Sequence, residues 1–146
     1  MSAQDRASLA LRAEVGLKPL SVQELIKQAA GNVKGGGASL LTTGLQNVGA
    51  QVNVERESPG LLNFSITSGK RIFELCTFSA RVEWADDRSR VVVGGLETYK
   101  TTQSTIGGFI PAGPKMIAGM APYKSFLHAV ETVLRGADPS ASISIQ

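Results

Sequence analysis

The chain has 146 residues and a formal charge of +3, with 42% apolar and 18% charged residues. That balance excludes an intrinsically disordered chain, and the length suits one domain with a real core. The single cysteine, Cys76, excludes an internal disulfide and points to a cytoplasmic home.

No apolar run reaches the length of a membrane span. Asp5, Arg6, Arg12 and Glu14 interrupt any signal-peptide core, so no secretion signal is expected. Residues 1–17 read as a loose arm or short helix, with Leu9, Leu11 and Val15 as a weak apolar pattern. A single α+β domain is expected over residues 18–136, followed by a flexible tail over 137–146.

Ser21 and Glu24 have the spacing of a capping box, and Leu20 and Leu25 that of a hydrophobic staple, so a helix is expected from Ser21. Val22, Leu25, Ile26 and Ala29 share its apolar face, and Gly31 is the expected stop. The glycines of "VKGGGAS" and the "SGKR" at Ser68–Arg71 fail the phosphate-loop pattern, so the first is read as a hinge. Leu40, Leu41, Gly44, Leu45 and Val48 recur at helical spacing, while Thr42, Thr43 and Gly44 oppose a helix. Residues 38–48 therefore fit either a poor helix or a bent strand.

From Ala50 the period becomes two. Val52 and Val54 alternate with Gln51, Asn53 and Glu55. Leu62, Phe64 and Ile66 alternate with Asn63, Ser65 and Thr67. A long third run, Arg71 to Trp84, carries Ile72, Cys76, Phe78, Ala80, Val82 and Trp84 on one side, and Arg90–Thr101 forms a fourth. The tight turns "ESPG", "TSGK" and "ADDRS" make these runs an antiparallel meander of four strands, five if residues 38–48 form one. A last helix from Pro122, with Tyr123, Phe126, Leu127, Val130, Val133 and Leu134 on one stripe, is long enough to lie across that sheet. Helix, antiparallel meander, long C-terminal helix is an order similar to the helix-grip and TATA-binding-protein layouts; the likeness is of architecture alone.

No catalytic or metal constellation stands out, and no cofactor is expected. His128, the sole histidine, falls on the outer face of the last helix, and Cys76 points inward. Asp86 and Asp87 are turn formers. Glu74 and Glu97 fall on the apolar sides of their strands, where each needs a partner if buried; the reading preferred is that each lies near a sheet end and reaches water, and Glu97 is the acid that stands out. Arg56, Arg71, Arg81, Arg90 and Lys100 could decorate the sheet, but scattered basic residues and 5% aromatics argue against nucleic acid.

The connection over residues 103–121 is long, and rich in glycine, proline and methionine. Phe109, Ile110, Met116, Ile117 and Met120 call for burial, so it reads as a packed crossover or as a lid. On the lid reading the chain is a non-catalytic binding domain. It would hold a small apolar or amphipathic ligand between the sheet, the last helix and this loop. Glu97, Tyr99, Phe109, Met116, Met120 and Tyr123 would line the site, and Lys115 and Lys124 would take an anionic head group at the helix start. The alternative is a protein-interaction or homo-oligomerisation module that uses a sheet edge or the Phe109–Met120 patch.

Overall fold

The computed structural model describes residues 3–33, 50–68, 73–102, 105–106, 110–111 and 116–146. Its helices are α1 (Ala3–Ala7), α2 (Pro19–Asn32) and α3 (Met120–Ala137). The main strands are β1 (Ala10–Val15), β2 (Gln51–Ser58), β3 (Leu61–Ser68), β4 (Phe73–Ala85) and β5 (Arg88–Gly94). Short strands follow: β6 (Thr98–Tyr99), β7 (Thr101–Thr102), β8 (Thr105–Ile106), β9 (Ile110–Pro111), β10 (Met116–Ile117) and β11 (Ser142–Ile145). One antiparallel sheet runs in the order β11-β1-β5-β4-β3-β2, and β6 pairs with β4 where β5 has ended. The fold is α+β with an open antiparallel sheet.

The meander β2-β3-β4-β5 forms as its alternation predicts. Its β4–β5 turn places Asp86 at φ 54° and Asp87 at φ 60°, the left-handed pair that a two-residue hairpin turn requires. Leu11, Val15, Leu62, Phe64, Ile66, Phe78, Ala80, Val91 and Val93 point to one face and are buried. Onto that face lie α2, through Val22, Ile26 and Ala29, and α3, through Tyr123, Phe126, Leu127, Val130 and Leu134. The centre is aromatic. Phe64 stacks on Phe78 at 5.2 Å, Phe126 lies 5.1 Å from Phe64, and Tyr123 meets Phe78 edge-on at 5.0 Å. Gln23, buried on α2, donates to the Ser58 carbonyl at 2.9 Å and accepts from the Gly60 amide at 3.2 Å, which fastens the β2–β3 turn to the helix.

Several elements differ from the sequence reading. Residues 10–15, read as part of an arm, form an interior strand between β5 and β11. Ala13 is small enough to hide the inward alternation Leu11-Ala13-Val15, and the outward Arg12 and Glu14 make the run look solvated. Residues 142–145, read as tail, form the edge strand beside it. Helix α2 starts at Pro19, not Ser21. Lys18 sits at its cap without a side-chain bond and Leu20 is exposed, so neither the capping box nor the staple forms; proline at the first turn sets the start. The helix also runs one residue past Gly31.

The fourth strand stops at Gly94, whose φ of +95° leaves the strand region, and Thr98–Tyr99 is a separate strand. Helix α3 begins at Met120 behind a left-handed Gly119 (φ 85°), not at Pro122 behind Ala121. In β4 a register shift pairs Ile66 with Cys76 but Thr67 with Glu74, so Leu75 is the extra residue. That bulge turns Glu74 away from the apolar side, and it is exposed. The expected elements at 38–48, the residues Gly69–Ile72, and Phe109 and Lys115 lie outside the described residues.

Candidate functional site

The sheet face opposite the helices is polar by alternation. It carries two clusters of like composition. In the first, the amide nitrogen of Asn53 donates to Thr67 Oγ1 at 2.9 Å and to Ser65 Oγ at 3.3 Å, while Ser65 Oγ donates to Glu55 Oε1 at 2.6 Å. In the second, Ser79 Oγ lies 2.8 Å from the Asn63 amide and donates to the Glu97 carboxylate. Register explains the pairing. Asn53 faces Ser65 across β2–β3, and Asn63 faces Ser79 across β3–β4. Each asparagine therefore sits beside a serine, and a glutamate from a less regular position closes the group. Glu55 stands where the β2 register shifts, and Glu97 precedes β6, where its amide donates to the Thr77 carbonyl at 2.8 Å.

Counting protons fixes the chemistry. A serine hydroxyl has one hydrogen. Ser79 Oγ has two acceptors within reach, Asn63 Oδ1 at 2.8 Å and the Glu97 carboxylate, and the charged carboxylate is the stronger of the two. Ser65 spends its hydrogen on Glu55 in the same way. The Glu97 side chain is exposed and Ser79 is its hydrogen-bond partner, so carboxylate lone pairs remain for an incoming group. Ser65 is 1% exposed and Thr67 5%, so the bonds of the first cluster are sheltered from bulk water and gain strength, whereas Glu97 in the second is exposed. A serine–glutamate pair is a poor nucleophile because a carboxylate is too weak a base to ionise an alcohol. Among the described residues no group of three His, Cys, Asp or Glu could hold a metal ion.

The other end of the same face is charged. Arg12, Val92 and Arg81 form one cross-strand row, and Glu14, Arg90 and Glu83 the next. Arg90 lies 3.8 Å from Glu14 and 3.5 Å from Asp86. Shallow grooves of about 530 Å³ (Leu61, Arg81, Glu83, Arg90, Val92) and about 290 Å³ (Arg12, Glu14, Arg90, Ser142, Ser144) run along these rows.

The residues singled out from the sequence do not converge. Glu97 lies on the open face, whereas the break at Gly94 had been expected to be continuous strand that would put it with Val91 and Val93. Tyr123 is fully buried under the opposite face and donates to the Leu9 carbonyl. Burial, then the nearby Cys76, pushes its phenol up. Tyr99 and Met120 are half-buried and pack against the core, while Met116 and Lys124 are exposed. Burial, aided by the charge of Glu74, pushes the Cys76 thiol up to about 12. His128 is exposed on α3, 3.7 Å from Glu131.

Asn53, Glu55, Asn63, Ser65 and Ser79 were missed as a site. Their only sequence signal was their place on the polar side of alternating strands, which ordinary solvated residues share. No protein family, curated protein or solved structure matches this chain.

Proposed function

We propose that the protein is a non-catalytic binding domain, and that its ligand rests on the open face of the sheet at Glu97. The observation that carries this reading is the Asn63–Ser79–Glu97 chain. Its hydroxyl hydrogen is already spent, so what it offers outward is acceptor capacity. The matching ligand presents N–H or O–H donors, with a cationic amine or guanidinium favoured by charge. The space between sheet and α3, where an apolar ligand was expected, is filled by Phe64, Phe78, Tyr123 and Phe126. A small amphipathic ligand therefore meets this domain polar end first. Of the two layouts, the TATA-binding-protein-like one suits a ligand on the open sheet, and the helix-grip-like one a ligand under the helix. Filled packing under α3 favours the former. The single, buried Cys76 suits a cytoplasmic setting.

The test is an amide chemical-shift titration with short alkylamines, arginine and neutral polyols. Shifts should centre on Asn63, Ser79, Glu97 and Thr98 and vanish in Glu97→Gln. Shifts confined to Phe78 and Phe126 would return the ligand to the space under α3, and no response to any compound would overturn the open-face reading. A second reading, an interaction module, is favoured by the composition of the β11 edge.

A further inference from the structure

The two edges of the sheet are built differently. The β2 edge carries Glu55, Arg56 and Glu57, contains a register shift and ends before Pro59. Charge, bulge and proline are the usual guards against strand addition. The β11 edge reads Ser-Ile-Ser-Ile, with no charge, bulge or proline; among the described residues its shortness is its only guard.

The hydrogen-bond pattern shows which groups this edge offers. Ala10 and Gln146 exchange both backbone bonds at 2.9 Å. Antiparallel pairs alternate, so Ser144 and Ser142 also turn their amides and carbonyls toward β1, opposite Arg12 and Glu14. Ile143 and Ile145 therefore turn theirs outward. Among the described residues no strand pairs with that side. At Ala141 the next outward carbonyl is taken by Arg135 at 3.3 Å, so the open edge is confined to the two isoleucines.

We infer that β11 pairs antiparallel with β11 of a second copy of this chain, joining the two sheets edge to edge about a two-fold axis at Ser144. Of the two-fold registers, the one centred on Ser144 uses both open residues of each copy, whereas one centred on Ile143 would need the Ala141 carbonyl that Arg135 already takes. Ile143 of one copy exchanges both bonds with Ile145 of the other, the symmetric pair does the same, and Ser144 faces Ser144. This register keeps the faces in phase. The isoleucines, half-buried against each core, meet on the helix side, and the serines meet on the open side. The groove of about 290 Å³ lined by Arg12, Ser142 and Ser144 already lies along this border and continues into its copy across the seam. The arginine row then extends through both copies, with the two Arg12 side chains rooted about 14 Å apart at three strand spacings. The inference stands independently of the ligand at Glu97.

Analytical ultracentrifugation of the full chain over a concentration series should show a reversible dimer. Ser144 is exposed and its backbone bonds lie within the protomer, so Ser144→Lys should fold normally by circular dichroism while weakening the dimer about fivefold or more through like charges placed directly opposite. An equimolar mixture of Ser144→Lys with Ser144→Glu should recover the dimer. Facing residues that do not exchange bonds sit about 4.5 Å apart at Cα, within disulfide reach, so Ser144→Cys should cross-link under oxidation while Ser140→Cys does not. A wild type that stays monomeric to roughly millimolar concentration overturns the inference. So does a dimer indifferent to Ser144→Lys, or a Ser144→Cys dimer that fails to cross-link. Capture of a foreign extended peptide by a monomeric chain counts against it in the same way.

Discussion

The Tyr123 hydroxyl lies 1.8 Å from the point where a Cβ on Gly94 would stand, and the Gly94 φ of +95° disfavours any side chain. Helix α3 thus docks its phenol into a gap that exists because β5 ends on glycine, and the phenol satisfies the Leu9 carbonyl there. Gly94→Ala should cost roughly 3 kcal/mol or more, combining a clash with positive-φ strain. Tyr123→Phe should cost about 1–3 kcal/mol by orphaning the carbonyl. Because removing the hydroxyl makes room for the methyl, the double variant should be less destabilised than the sum by about 0.5–3 kcal/mol. Urea melts of the four proteins measure the cycle, and strict additivity would mean the contact does not exist.

Phe126 has no exposed surface and touches both Phe64 and Phe78. Phe126→Ala should lower stability by about 3–5 kcal/mol in a denaturant melt. A loss under about 1 kcal/mol would show that α3 does not cover the sheet.

Cys76 is raised from an ordinary 9.0 to about 12 by burial first and the Glu74 charge second. A thiol is neutral when protonated, so below pH 9 its titration leaves stability unchanged. Between about pH 9 and 12 the unfolded thiol ionises while the folded one holds its proton, and stability falls as pH rises. The native thiol should resist alkylation at pH 8 and label at once in denaturant. The alkaline loss of stability should be shallower in Cys76→Ala than in the wild type.

Asp138, just past α3, accepts from the Gly16 amide at 2.8 Å, which ties the end of α3 to the end of β1, and from the Ser140 hydroxyl at 2.7 Å within its own turn. These bonds, Gly16 first, hold its carboxyl below the ordinary 3.8. The stabilisation is present above pH 3.8 and is lost as pH falls through the lower folded value. Acid titration of stability should show this limb in the wild type and not in Asp138→Asn; identical acid limbs would remove Asp138 from the acid response.

The meander and α3 were legible because Phe64, Phe78, Phe126 and their neighbours repeat at periods of 2.0 and 3.6 with large side chains. Strand β1 was not, since alanine at an inward position and charges at outward ones leave little contrast. The side-chain spacing of Ser21 and Glu24 points to a start two residues too late, because the backbone constraint of Pro19 sets the start of α2. Glu74 and Glu97 reach water, as acids near a sheet end are expected to, but strand parity alone gives each the wrong face, which one extra residue at Leu75 and one bend at Gly94 reverse. The polar clusters depend on register between strands, and pattern within one strand does not specify it.

Strand β1 lies between β5 and β11, pairing Leu11 with Val93 on one side and with Ile145 on the other. A chain emerging from the ribosome therefore makes an interior strand long before either of its neighbours exists. The meander can close early from local hairpins, but β1 must wait for β11, which follows every other strand of the sheet in chain order. Until then Leu11 and Val15 have no second strand to flank them, and their apolar side chains are held by β5 alone within the sheet.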